Sequence, residues 1–224
     1  MELIKTPVGT VICEAGEAPK HVYFPASGVI SALVILEEGA TVEALTIGNE
    51  GLAGVFAAVK GSVSQYRMVQ RIADESYRIP AAAFEKAVRE IGSLGWLLER
   101  YLLTLLQSAA QNAACHSHHT VEERLCRWLL ETSDRLGNDD FEITQELLGE
   151  MLGVRRQSVN LVARRLQQAG HIDYQRGRLA ILDRTALEHA ACECHRVTRE
   201  MYARLMGFAQ HATSGNPPRP QKPT

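Results

Sequence analysis

The stretch Phe141–Asp183 constrains this chain more than any other part of it. A short run with helical apolar spacing (Leu147, Leu148, Met151, Leu152) follows Thr144, whose hydroxyl can accept from the free N–H groups of a first helical turn. Gly153 can take the left-handed conformation that ends a helix, and Val154 fills the turn. The spacing then predicts a second helix from Arg155 to Ala169, with Val159, Val162, Ala163 and Leu166 inward and Gly170 as its stop. Ile172–Tyr174 and Leu179–Leu182 flank Gln175-Arg176-Gly177-Arg178, a tight hairpin.

Helix, turn, helix and hairpin in that order predict a winged helix-turn-helix, and with it double-stranded DNA as the partner. The outer face of the second helix carries Arg155, Arg156, Gln157, Ser158, Asn160, Arg164 and Arg165. Arginine matches the paired acceptors of guanine, and Gln or Asn can match adenine. The N-terminal part of such a helix reaches base edges. Arg156, Gln157 and Asn160 are therefore the expected readers, with Arg155 at the boundary. Arg164 and Arg165 are expected on phosphates, as are Arg176 and Arg178 at the hairpin tip. Thr144 and Ser158 complete the candidate set. The charge is local: Arg155 to Arg184 holds two acids, Asp173 and Asp183, among its arginines, whereas the whole chain has a net charge of −2.

The chain has 224 residues, room for more than one domain and a substantial core. From Val8 to Pro80 it shows short β-rich runs broken by turn residues: Val8–Cys13, His21–Phe24, Val29–Leu36, Thr41–Ile47, Tyr66–Ile72 and Ser76–Ile79. Many short strands with regular turns predict a sandwich or small barrel. Pro80–Glu90 reads as a helix. Ser93–His119 reads as a long one, and Leu94, Leu98, Leu102, Leu105, Ala109, Asn112 and His116 recur along it like a coiled-coil seam. A parallel homodimer along that seam would set two reading helices about one DNA turn apart. Val121–Leu136, with Leu125, Trp128, Leu129 and Leu130 on one side, opens the DNA-binding part, and Thr185–Gln210 adds a C-terminal helix. A cupin-like metal enzyme would need two or more histidines inside the barrel. The front half offers His21, so no enzyme is expected.

The five cysteines are Cys13, Cys115, Cys126, Cys192 and Cys194. Their odd number and scatter argue against a disulfide framework. Cys115, His116, His118 and His119 crowd one helix end, and Cys192-Glu193-Cys194-His195 lies far along the chain. No further carboxylate or cysteine is positioned by sequence to complete a shell at the first, and the one-residue spacing of the second is not the two-residue spacing of zinc knuckles, so no metal and no cofactor are expected. No uncharged apolar run reaches about 18 residues, and the N-terminus lacks a signal-peptide apolar region. The expected location is cytoplasmic, with no membrane partner. The Pro-, Ser- and Gly-rich tail after His211 is expected to be disordered.

Ile143-Thr144 through Leu152-Gly153-Val154, then Arg156-Gln157-Ser158-Val159, resembles the winged-helix signature of the Crp/Fnr family of bacterial transcription regulators. Glu17–Lys20, Val22-Tyr23-Phe24, Gly28-Val29 and Gly51-Leu52-Ala53-Gly54 are similar to that family's sensor domain. The resemblance implies an α+β chain in four parts. They are an N-terminal double-stranded β-helix (jelly-roll) barrel over 1–90, a dimerisation helix over 91–120, a winged helix-turn-helix over 121–210 and a tail over 211–224. It implies sequence-specific major-groove binding as a homodimer, RNA polymerase as a protein partner, and a small-molecule effector at the barrel. Three positions depart from the pattern. Gln157 stands where members have an acid, Leu161 where many have a second reading arginine, and Leu52 where a nucleotide ribose would need a carboxylate. Gly61–Tyr66 supplies no arginine before Arg67. A barrel that has lost or replaced its cyclic-nucleotide site is expected, with Gly51, Leu52, Ala53 and Arg67 as the remaining effector-binding candidates. The rival expectation is a fixed scaffold or protein-contact barrel with constitutive DNA binding.

Overall fold

The protein is described by a computed structural model, in which residues 1–72 and 74–207 are placed. The tail expected to be disordered after His211 lies outside the described residues. The front of the chain forms seven strands: β1 (Glu2–Thr6), β2 (Val11–Cys13), β3 (His21–Pro25), β4 (Val29–Ile35), β5 (Thr41–Ile47), β6 (Arg67–Ile72) and β7 (Asp74–Pro80). They make two antiparallel sheets of order β2-β6-β4-β5 and β1-β7-β3. The chain passes from one sheet to the other between β6 and β7, so these neighbours in sequence do not pair. Alternation does the folding in β5: Glu43, Leu45 and Ile47 turn inward. Val22, Ala32, Leu45, Leu52, Val55 and Phe84 then fill the jelly-roll interior. Phe84 arrives from α1 (Ala81–Glu90).

The long helix α2 (Gly92–His118) meets the barrel along the side that spacing had suggested for a dimer. Leu98 and Leu105 are buried against the barrel, and Asn112 donates to the Ala44 carbonyl at 2.9 Å. The large apolar residues of α2 left in solvent are Trp96, Leu97, Leu102, Leu103 and Leu106. Leu103, Leu106, Ala110 and Ala113 lie on that open face at intervals of three, four and three, and Ser117 continues it four residues on. The exposed stripe is therefore displaced from the Leu98–Leu105–Asn112 row.

Beyond Thr120 the chain folds α3 (Val121–Leu136), β8 (Asp140–Glu142), α4 (Gln145–Leu152), α5 (Arg156–Gln168), β9 (Ile172–Gln175), β10 (Arg178–Ile181), α6 (Arg184–Ala190) and α7 (Cys194–Met206). Thr120 and Glu123 form a reciprocal capping box at the start of α3. β8 is a strand that periodicity had not indicated. It completes a three-stranded wing sheet of order β8-β10-β9. The C-terminal helix expected as one piece is two: α6, capped by Asp183 through the Ala186 N–H at 2.9 Å, and α7 after an extended Ala191. α7 lies along α2, where the Arg100 guanidinium donates to the Arg204 carbonyl at 3.2 Å.

The apolar core under the winged helix does not end at the domain edge. Leu125, Leu129, Leu148, Met151, Val159, Leu166 and Leu179 share it with Val29 and Ile72 of the barrel. Around that seam Arg71 pairs with Glu150 at 3.1 Å and Arg135 with Glu50 at 2.7 Å. No helix among the described residues is long and apolar enough to cross a membrane.

Candidate nucleic-acid interface

Local chemistry builds the two-helix motif. The Thr144 hydroxyl accepts from the Leu147 N–H at 3.2 Å and starts α4. Gly153, at φ 62°, ends it. Gly149 sits inside α4, where glycine ordinarily costs about 1 kcal/mol. Its reason is the crossing: a Cβ there would stand 2.9 Å from the Val154 carbonyl oxygen, and the Val154 N–H donates to the Gly149 carbonyl at 2.9 Å. Sequence reading did not single out Gly149, although a glycine kept inside a helical pattern despite its cost can have a packing reason. The close approach fixes α5 against α4.

α5 buries Val159, Val162, Ala163 and Leu166 and exposes Arg155, Arg156, Gln157, Arg164 and Arg165, with Ser158 and Asn160 half-buried. Asn160 donates to the Gln145 side chain at 3.0 Å, so its amide is already oriented toward the start of α4. Arg156 lies 3.9 Å from Glu146, and Arg165 3.9 Å from Glu122, with both arginines and Glu146 largely in solvent and Glu122 half-buried. Ion pairs this long and exposed contribute little, and a phosphate can replace the carboxylate. Leu161, in the place of a second reading arginine, is exposed at 55%.

The wing turns on two residues, Arg176 at φ 51° and Gly177 at φ 83°. Two consecutive positive φ angles make a type I′ turn, whose twist suits a two-residue hairpin. Arg176 is thereby held at the tip, in solvent. Arg178 points differently. It makes a two-pronged bond to Asp140 of β8 at 2.8 and 2.7 Å, and that bond holds the Asp140 carboxyl below its usual range. The Tyr174 hydroxyl closes the wing onto the Ile143 carbonyl at 2.8 Å.

The effector candidates have partners inside the protein. The Leu52 N–H donates to the Tyr101 hydroxyl oxygen at 3.0 Å, and that hydroxyl donates back to the Leu52 carbonyl at 3.0 Å. Any side chain at Gly51 would collide with the Tyr101 ring. Ala53 exchanges two backbone bonds with Tyr23. Arg67 lies 3.3 Å from Glu14. Both backbone polar groups of Leu52, the position where a nucleotide ribose would need a carboxylate, are thus used by a residue of α2.

The two cysteine-bearing segments, separate in sequence, meet in space. Ligand atoms of Cys115, His119, Cys192 and Cys194 all lie within 4.8 Å of one another. A hydrogen bond from Cys192 holds the Cys115 thiol below its usual range, helped by the Arg127 guanidinium against the cost of burial, and the same bond pushes Cys192 up. His195 turns away, with its Nε2 3.3 Å from Asp134.

Residues 123–190 match the model of the Crp-like helix-turn-helix domain. Residues 123–190 thus carry a Crp-like helix-turn-helix domain, and the fold around it is shared with solved Crp/Fnr-type regulators. FixK2 from Bradyrhizobium japonicum superposes with a TM-score of 0.73 at 16% identity, over 85% of this chain and 97% of that one. TTHB099, a CRP-family transcriptional regulator from Thermus thermophilus, gives 0.67 at 18% identity, over 94% and 100%. CLP, a c-di-GMP responsive global regulator from Xanthomonas campestris, gives 0.64 at 14% identity, over 80% and 93%. No curated protein matches by sequence. The Crp/Fnr-type architecture gives the exposed arginines a setting: they stand on the second helix of a helix-turn-helix and on its wing.

Proposed function

We propose that this chain is a non-enzymatic, cytoplasmic transcription regulator that binds a specific DNA sequence as a homodimer. The observation that carries the proposal is the split character of α5. One face is locked in the core, and the other presents Arg155, Arg156, Gln157, Arg164 and Arg165 to solvent beside the Arg176 wing tip. Arg156, Gln157 and Asn160 read base edges, with Arg155 and Ser158 at the margin. Arg164, Arg165 and Arg176 hold phosphates, and the first turn of α4 at Thr144 offers backbone N–H groups to another. Arg178 acts on the wing through Asp140. Dimerisation uses the open face of α2, with Leu103 and Leu106 meeting their counterparts. Ala110 and Ala113 further along allow close approach.

At the barrel, the Tyr101 plug favours a domain that holds no cyclic nucleotide on Gly51–Ala53. Thermal-shift measurements with cyclic AMP, cyclic GMP and cyclic di-GMP are expected to show no stabilisation. A strong upward shift with any of them would overturn that part of the reading. The regulator itself is tested by footprinting the purified protein across genomic DNA. The expected product is a dyad motif with half-sites about 10 base pairs apart and affinity that falls steeply with salt. A protein with no salt-sensitive affinity for any duplex would sink the proposal.

A further inference from the structure

Cys115 and His119 occupy one face of the last turn of α2, four residues apart, with His119 as its C-cap. Cys192 lies between α6 and α7, and Cys194 is the first residue of α7. The three cysteines are almost wholly buried, and they form a cluster of their own. Cys115 Sγ is 3.6 Å from Cys192 Sγ, and Cys194 Sγ is 3.6 Å from His119 Nδ1. A disulfide would need about 2.0 Å between sulfurs. A tetrahedral zinc site with bonds of about 2.3 Å to sulfur and about 2.0–2.1 Å to nitrogen has edges of about 3.8 Å between sulfurs and about 3.6 Å between sulfur and nitrogen. The two separations match those edges.

We propose that Cys115, His119, Cys192 and Cys194 are the four ligands of one Zn(II) ion that ties the end of α2 to the start of α7. Three thiolates and an imidazole are a soft donor set that selects zinc over calcium or magnesium and fills all four tetrahedral positions, as in closed structural sites. The surroundings suit that role. His119 presents Nδ1 to the cluster while its Nε2 lies 3.1 Å from the Glu193 carboxylate, the outer partner that orients a ligating histidine. Gln111 donates its side-chain N–H to Cys194 Sγ at 3.0 Å. Zinc with three thiolates carries one net negative charge, and the Arg127 guanidinium stands beside Cys115 to balance it. The N-terminus of α7 adds its partial positive charge at Cys194.

The site has a position with consequences. His119 ends α2 and Thr120 caps α3, so the break between the long helix and the DNA-reading unit lies at the cluster. An ion bound there clamps α7 across that break and sets how the reading unit sits on α2. Thiol oxidation or chelation would release the clamp.

The test starts from the full-length wild-type chain, so it does not depend on any variant folding. Protein from zinc-supplemented culture, purified with reductant, should carry about one zinc per chain. Chelator-treated, reduced protein titrated with Co(II) should develop the intense visible bands of tetrahedral cobalt with thiolate charge transfer, saturating at one equivalent and erased by one equivalent of zinc. Cys194→Ser and His119→Ala should lose or weaken that spectrum, and Cys13→Ala should keep it. With zinc bound, Cys115, Cys192 and Cys194 should resist alkylation under native conditions until chelator is added. Absence of zinc together with no tetrahedral cobalt spectrum in the reduced wild type would overturn the site. So would a Cys115–Cys192 disulfide in a protein that takes up no metal after reduction, since the cluster would then be a redox pair.

Discussion

Arg156, Arg176 and Arg178 carry the same charge in three different settings, and the settings separate their roles. Arg156 stands on the exposed first turn of α5 with a loose neighbour at 3.9 Å, free to aim a planar fork at a base edge. Arg176 is held at a positive φ on an exposed two-residue tip, the place proposed for a phosphate contact. Arg178 is bound to Asp140 by two short bonds. Arg156→Ala should cost about 1–3 kcal/mol on the cognate operator and blur preference at one base position. Arg176→Ala should weaken all sequences alike and reduce the slope of log affinity against log salt by about 1. Electrophoretic titrations of cognate and scrambled duplexes at several salt concentrations measure both. Equal losses on cognate and scrambled DNA for Arg156→Ala would remove it from base reading.

At the scale of the element, α2 shows where periodicity stops deciding. Its apolar residues go nearly all the way round, so spacings of three and four fit more than one stripe. Two polar atoms settle which side meets the barrel: the Tyr101 hydroxyl finds the Leu52 backbone, and Asn112 finds the Ala44 carbonyl. Leu103 and Leu106 are left outside, with Leu106 exposed at 68%. Leu106→Glu should leave the single chain folded, because the side chain touches little within it, and should convert a dimer to monomer in sedimentation velocity. A Leu106→Glu protein that sediments as an unchanged dimer would remove the α2 stripe from the interface. Other elements were legible because their signals are local. Leu125, Trp128, Leu129 and Leu130 mark the inner face of α3, Thr144 and Gly153 bound α4, and a glycine at the wing tip marks the turn. β8 is three residues with acids at both ends and carries no strand period. The thiol cluster was hidden for a different reason. Each half is incomplete by itself, and the partners Cys115 and Cys192 are 77 residues apart, brought together by the packing of α7 on α2.

Over the whole molecule, the joint between barrel and reading unit rests on a buried acid. Glu43 sits at an inward position of β5, fully enclosed, and accepts from the Ser31 hydroxyl and from Trp128 Nε1 of α3, the latter at 3.1 Å. Ser31 also approaches the Met151 sulfur of α4 at 3.9 Å. Burial pushes the Glu43 carboxyl up from its usual range, and the bonds from Ser31, Thr46 and Trp128, with the Arg135 charge, oppose that push without cancelling it. The folded chain therefore favours the protonated acid. Its stabilising contribution is full below the ordinary carboxylate range and is lost as pH rises through the raised value. Other acids run the opposite way: Arg178 holds Asp140 low, and the Thr120 backbone holds Glu123 low, so the total curve mixes signs. A difference between variants isolates Glu43. Glu43→Gln keeps the shape and can still bond to Ser31 and Trp128, but it cannot ionise. The stability of wild type relative to Glu43→Gln, from urea unfolding at a series of pH values from about 5 to about 8, should fall as pH rises above the ordinary carboxylate range and level off once the buried acid has ionised. The loss should be accompanied by easier proteolysis between barrel and α3, because the charge develops where the two units meet. A flat difference across that range would mean that Glu43 stays in one protonation state, and the joint would then owe its strength to the shared apolar core of Val29, Ile72, Leu129 and Met151 alone.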